Sequence, residues 1–439
     1  MQLVKIGDLL ARRKDPIFIQ DGKRYKRVTI RINHNGVCLR NEEIGEKIGT
    51  KRQFLTRAGD FILSRIDARH AAFGVVPEEL EGAIITNDFW TFEINKELMD
   101  LEYFYIFSQS EAFLEACKKA SKGTTNRKRI DEDFFVNYEF RLPDKKMQHE
   151  IVERYKCAKV LHDKLHEEHG KQQYLITKLK QSILMDAISG NLVPQSPSDE
   201  SPTILVEKIN DEKEQLINEG KIRKQIDKMH SSIEKPFAIP ESWTWVNLMQ
   251  ICTQITDGAH HTPTYIDKGV PFLSVKDMSG GIIELSSARR ISRSEHEALC
   301  KRCNPEFENI LFSKVGTTGI AKIIDTTEPF SIFVSLALLK FNKNFVFPLF
   351  LENLLNSPYV KQLSGAGTEG IGNKNLVLRK IKQFVIPLPP FNEQKRIAQK
   401  ISHLNSFCSS LNLERRTQLE YSENLEKLLL RELFQVTAV

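Results

Sequence analysis

The sequence predicts a mixed α/β (α+β) fold built twice: two globular blocks and two long helices that pair as an antiparallel coiled coil. Three observations carry this. The stretches EFRLPDKKMQHEIVERY (139–155) and VIPLPPFNEQKRIAQKI (385–401) are related at an offset of 246 positions, matching Pro143 with Pro389, Gln148 with Gln394 and Ile151 with Ile397. Each leads into a helical pattern of about 42 residues, about 63 Å at 1.5 Å per residue. Each follows a block of short β-type runs, loops and one helix-like segment.

The first block covers residues 1–142. RYKRVTIRI alternates polar and apolar residues as a half-buried strand does. GDFILSRI and IITNDFWTFEI are further strands, and LEYFYIFSQSEAFLEACKKA reads as one helix.

The second block, 143–235, holds the first long helix, with a linker after it. Gly190 and Pro194 end the helix. PQSPSDESP is the linker, and TILVEKINDEKEQLINEGKIRKQIDKM is a charged helix. The third block, 236–389, repeats the first, opening at KPFAIPESWTWVNL; NLVLRKIKQFVI near its end reads as a strand. The fourth, 390–439, is the second long helix.

The expected helix seams superpose at the same offset. Ile151, Ala158, Leu165, Gln172 and Leu179 match Ile397, Leu404, Leu411, Gln418 and Leu425. Both are apolar at the ends and polar in the middle, and a polar residue at a seam position fixes register at a cost in stability. A helix this long with one apolar stripe needs a partner, and the nearest is the other copy; the alternative is that each packs on its own block.

Bulk properties exclude several classes. At 439 residues, 41% apolar and 27% charged, the chain has the composition of a folded protein with more than one core. No apolar run approaches the roughly 18–20 residues of a membrane span. The start, MQLVKIGDLLARRKD, has no signal-peptide core, so a cytoplasmic location is expected. Seven scattered cysteines suit reduced thiols better than a disulfide framework. The net charge is +6. Its distribution is informative: Lys23, Arg24, Lys26, Arg27 and Arg31 cluster without an acid among them, as do Lys118, Lys119, Lys122, Arg127, Lys128 and Arg129. Such patches suit phosphate contacts.

Catalytic motifs fail on context. GAGTEG (365–370) fits G-x-G-x-x-G, but a helix-like segment precedes it where a dinucleotide fold needs a strand. LPPF (388–391) echoes the N-P-P-F of amino-group DNA methyltransferases, but Leu388 cannot accept a hydrogen bond from a target amine. Cys300-x-x-Cys303, with His296, lacks the second pair a structural zinc site wants, so no metal is expected. There is no phosphate-binding G-x-x-x-x-G-K-[ST] loop. The chain reads as a binding protein.

IPLPPFNEQKRIAQKI and its degenerate twin FRLPDKKMQHEIVERY resemble the signature of specificity subunits of type I restriction–modification systems. IPESWTWVNL, DGAHHTPTYIDKGVPFLSVKDM and GTEGIGNKNLVLRKIKQFVIPLPP resemble the entry, opening and end of a target recognition domain in that family. The first half lacks a clear Pro-x-x-Trp entry and has Asp144 where the second copy has Pro390.

The resemblance implies a non-catalytic subunit that recognises a bipartite DNA target, one half-site per recognition domain, with the helices setting the gap. Two modification subunits carrying S-adenosylmethionine would dock on it. Restriction subunits using ATP and magnesium would join them, and no cofactor would be bound by this chain. Base edges and phosphates would be met by polar and basic loop residues. In residues 1–142 these are Lys26, Arg27, Thr29, Arg31, Asn33, His34, Arg65, Arg69, Thr125, Asn126 and Arg127. In residues 236–389 they are Asp257, His260, His261, Thr262, Tyr265, Lys276, Lys314, Thr317, Thr318, Asn373 and Lys374. The alternatives are a stand-alone DNA methyltransferase or nuclease fragment, against which the missing motifs argue, and a coiled-coil scaffold, against which the basic α/β blocks argue.

Overall fold

The computed structural model describes residues 2–123, 128–222, 235–278, 280–369 and 375–434. The chain divides into two compact units: Met1–Gly170 with Arg415–Val439, and Lys171–Glu414.

The first unit opens with an antiparallel ribbon, Gln2–Lys5 against Glu139–Leu142. Its central sheet has the strand order Leu10–Arg13, Phe89–Ile94, Phe61–Ser64, Phe73–Val75. The side chains of Phe61–Ser64 are buried on both faces, as its apolar run FILS requires. One face carries an aromatic core in which Phe61 meets Phe104 and Phe113 edge to face, at 4.9 and 5.7 Å between ring centroids. The other carries a five-stranded sheet that includes Arg24–Ile30 and Val37–Ile44. The helix-like run 101–120 is two helices, Leu101–Ser108 and Glu111–Ala120. Ser110 breaks it: its extended backbone ends the first helix, and its hydroxyl accepts from Phe113 N to cap the second.

The second unit repeats this order. Thr244–Asn247 pairs with Val385–Leu388, and the sheet runs Gln254–Asp257, Leu336–Lys340, Ile310–Ser313, Ala321–Ile323. Helices Pro348–Leu355 and Pro358–Ala366 follow. A three-stranded sheet, Arg289–Ile291, Val270–Leu273 and Ser331–Ile332, replaces the five-stranded one. The segment NLVLRKIKQFVI is not one strand: Asn375–Leu376 and Val385–Leu388 flank the short helix Leu378–Lys382. Its apolar residues Leu378 and Ile381 are helically spaced and pack into the core.

The long helices are Lys145–Ser189 and Phe391–Phe434, of 45 and 44 residues. Within the first unit their segments run antiparallel: Arg154 pairs with Glu432 at 3.0 Å, and Lys159 with Glu426 at 3.3 Å. Within the second, Gln173 and Thr177 line a small cleft with Asn412, and Gln195 bonds Glu393, the same sense. Gly190 closes the first helix at φ +81°, with Pro240 so near that a Cβ would lie 2.3 Å from its ring. The linker behind it is fastened to the second helix by Arg396, which grips Asp199 with two nitrogens, at 3.2 and 2.6 Å.

The seam differs from the expected one. Leu165, Gln172, Leu179, Gln418 and Leu425 face solvent. Ile151, Ala158, Ile397, Leu404 and Leu411 are buried or half-buried. The covered stripe of the first helix is Tyr155, His162, His166, His169, Ile176 and Ile183, and Ser422, Glu426 and Leu429 are covered on the second. The heptad period holds, but the stripe is turned to a polar phase. His162 stands 3.4 Å from Glu426 and 3.0 Å from His166, and such polar pairs fix register where leucines would not.

Candidate nucleic-acid interface

Three segments of the first unit meet at one end of the central strand Phe61–Ser64. The hairpin after Arg24–Ile30 is closed by Arg31 N donating to Gly36 O at 3.0 Å. Inside it Asn33 and His34 both take left-handed backbone, φ 57°. Their amides donate to His70 O and Ala71 O, at 2.8 and 3.1 Å. The loop 64–71 joins the strand pair Ser121–Lys122 and Arg129–Ile130 in turn: Ile130 N donates to Arg65 O, and Arg69 Nη1 donates to Lys128 O. Thus Arg31, Asn33, His34, Arg65 and Arg69 converge. Thr125, Asn126 and Arg127 lie outside the described residues.

Lys26, Arg27 and Thr29 stand further back along their strand. Lys26 spends its ammonium on Glu79 O at 2.9 Å. Thr29 and Arg27 are half-buried between strands, beside a bulge at Arg27.

The second unit gathers its residues around a buried acid. Asp257 ends the strand Gln254–Asp257 and is 3% exposed. Its carboxylate takes Lys314 at 3.3 Å, His260 at 3.0 Å and Arg302. Asp257 and Lys314 therefore do not stand on the surface as base or phosphate contacts: each neutralises the other beneath it, because a buried charge needs a partner. Gly258 explains the next position of the motif. A Cβ there would lie 1.9 Å from Ile332 O, so only glycine lets the chain lie against that strand. The loop then emerges, and His260, His261, Thr262 and Tyr265 are exposed. Tyr265 is stacked under Arg289, 4.5 Å from its ring centroid.

Around this loop the exposed Lys276 and Thr317 and the half-buried Thr318 complete the face. Lys314 N donates to Ser335 O and Leu376 N donates to Lys314 O, tying the loop 313–320 to the strand Asn375–Leu376. Asn373 and Lys374 lie outside the described residues. Arg65 and Lys314 hold one structural position: each follows the central strand and accepts from the hairpin beyond the second short helix.

Two residues of these sites carry no sequence signal: Arg302, 45 positions from Asp257, and Arg289, which reads as an ordinary strand residue. Elsewhere, Cys300 contacts His296, whose Nδ1 meets Ser331 Oγ at 2.8 Å. Burial keeps that imidazole below its ordinary pKa. Among the described residues no group of three or more His, Cys, Asp or Glu side chains is placed to hold a metal ion, and no helix is long and apolar enough to cross a membrane.

A sequence model of the family described as type I restriction modification DNA specificity domain matches residues 1–168 and 240–421. The type I restriction enzyme EcoEI specificity subunit of Escherichia coli is 28% identical over 273 residues, 58% of this chain and 44% of that protein. The EcoAI specificity subunit of the same organism is 24% identical over 388 residues, 75% of this chain and 64% of that protein. The chain thus spans less than two thirds of the length of either relative. Among solved structures, a chain from a study of complex assembly and conformational transition in the type I R-M system aligns with TM-score 0.66 at 16% identity, covering 99% of this chain and 97% of that one. The HsdS subunit from Thermoanaerobacter tengcongensis aligns with TM-score 0.53 at 17% identity, covering 99% and 96%. At these identities the likeness is one of fold.

Proposed function

The chain belongs to the family of type I restriction modification DNA specificity domains, and on that premise we propose that it is a specificity subunit reading a bipartite DNA target, one half-site per unit. The observation that carries this is the repeated unit: one order of elements, twice, each ending in a face of polar and basic loops. Arg31, Asn33, His34, Arg65 and Arg69 are the first reader's contacts, and His260, His261, Thr262, Tyr265, Lys276 and Thr317 the second's. Asp257 holds His260 and Arg302 in place from beneath.

The subunit directs chemistry done by others in the cytoplasm. Two modification subunits bring S-adenosylmethionine, restriction subunits bring ATP and magnesium, and this chain holds no cofactor. The paired helices set the gap between half-sites. The exposed leucines Leu161, Leu165 and Leu425 of the first unit line one shallow cleft and are a surface on which a modification subunit seats.

Mapping methylated adenines in the host genome with and without the gene tests this. Loss of one bipartite motif, split by a constant gap, is expected on deletion. An unchanged map, or methylation by the purified chain alone, overturns the reading.

A further inference from the structure

Two arginines of the first unit lie over one tryptophan with no acid at ion-pair distance among the described residues. Arg12 faces Phe92 across the strand pair, and Arg65 follows the neighbouring strand. Each guanidinium carbon is 4.7 Å from the Trp90 ring centroid, and Arg12 is also 5.4 Å from that of Phe92. Arg12 Nε and Nη1 and Arg65 Nε are buried without a hydrogen-bond partner. Burial holds the Arg12 guanidinium down to about 10, against the pull of Glu132, which acts from beyond ion-pair distance.

The neighbouring arginine shows the contrast. Arg13 has Asp60 at 2.7 Å and Glu93 at 2.9 Å. In the second unit Lys314, at the position of Arg65, has Asp257. The fold places an acid at ion-pair distance from both, and from neither Arg12 nor Arg65 among the described residues. Two half-buried like charges on one ring are unfavourable unless a ligand brings the missing anion. Planar guanidinium forks match the oxygens of phosphate. Arg65 accepts from Ile130 N through its carbonyl, so the pair lies beside the proposed DNA-reading face.

We propose that Arg12 and Arg65, stacked on Trp90, form a seat for one phosphate group, which in this chain is a backbone phosphate of the DNA held by the first unit. The assignment to DNA rests on the functional reading above; the seat itself does not.

The test uses the full chain, with Arg12→Met, Arg65→Met and Trp90→Phe variants. Three readouts are taken: melting temperature with and without inorganic phosphate, tryptophan emission on adding duplex DNA, and the salt dependence of DNA binding. Arg12→Met removes a buried unpaired charge, so it raises the melting temperature in phosphate-free buffer, by about 2–4 °C. It also weakens binding to cognate and unrelated duplexes alike, with the slope of log K against log salt shallower by about one. Arg65→Met gives the same loss of slope, and Trp90→Phe removes the emission change. If the wild type fails to bind DNA, yet phosphate raises its melting temperature and not that of Arg12→Met, the seat stands and the DNA reading falls. If Arg12→Met lowers the melting temperature and leaves the slope unchanged, Arg12 is a structural residue and the proposal is wrong.

Discussion

Gln148 and Gln394 make the same three hydrogen bonds, each within its own unit. Gln148 Nε2 donates to Leu98 O and Pro143 O, at 3.1 and 2.9 Å, and its Oε1 accepts from Asp100 N at 2.8 Å. Gln394 Nε2 donates to Phe345 O and Pro389 O, at 3.4 and 3.0 Å, and its Oε1 accepts from Phe347 N at 2.8 Å. Both side chains are fully buried. Each clamps the start of a long helix to the start of a shorter one. Truncation strands buried donors and acceptors, so Gln148→Ala and Gln394→Ala each cost about 3 kcal/mol. The two losses share no contact and add in the double variant. Hydrogen exchange should place each loss in its own unit; a cost under about 0.5 kcal/mol at either site would refute the clamp.

The second unit's acid hub gives a paired prediction. Gly258→Ala drives a Cβ onto Ile332 O, so the loop carrying His260 and His261 must shift. Asp257→Asn leaves Lys314 and Arg302 without a full counter-charge, at a cost of about 3 kcal/mol. Both variants are expected to blur methylation at one half-site only, read by genome-wide methylation mapping. Equal loss at both half-sites would show that the hub serves folding of the whole chain and not one reader.

The repeat was legible because its junction residues do repeated work. Pro143, Gln148 and Ile151 recur as Pro389, Gln394 and Ile397, since a strand end, a clamp and a buried helix turn are needed twice. The helix phase was not. Leu161, Leu165, Leu175 and Leu179 form the more apolar stripe, and hydropathy selects it; yet His162, His166 and His169 face inward, where Glu426 and Ser422 meet the seam. Of the candidate site, the loop placement of Asn33, His34 and His260 was readable from the surrounding sequence. The burial of Asp257 follows from pairing of its strand with Leu336–Lys340, and Arg302 arrives from the turn after helix Arg293–Cys300, 45 positions on, which no local pattern encodes.

Glu393 makes stability pH-dependent. It is fully buried at the start of the second long helix and accepts from Gln195 Nε2 at 2.9 Å. Desolvation raises its pKa above the ordinary 4.5, outweighing the help of Gln195 and Arg396. A carboxyl raised on folding contributes stability that is complete below its unfolded value and lost as pH climbs through its folded value. Glu393→Gln keeps the acceptor and removes the charge. It should equal the wild type near pH 4 and exceed it near pH 8 in denaturant unfolding of the second unit. A variant less stable at pH 8 would mean that the ionised carboxylate is the favoured form.

Phe434 tests how the last turn of the chain's second long helix serves the first unit. Its ring lies 5.8 Å from Tyr103 and 5.6 Å from Phe107, and with Leu433 it closes the core that holds Phe140 and Tyr155. A cavity of this kind costs about 3–4 kcal/mol, so Phe434→Ala should loosen residues 2–123 although it lies some 300 positions away. This constrains any exchange of readers. Replacing residues 1–142 by another first block should change one half-site and leave the other intact, provided that the incoming block keeps aromatic residues at positions 103 and 107. With alanine there, the same exchange should lose the melting transition of the first unit. If exchange succeeds equally with and without those aromatics, Phe434 is a bystander, and the first unit ends with its own helix.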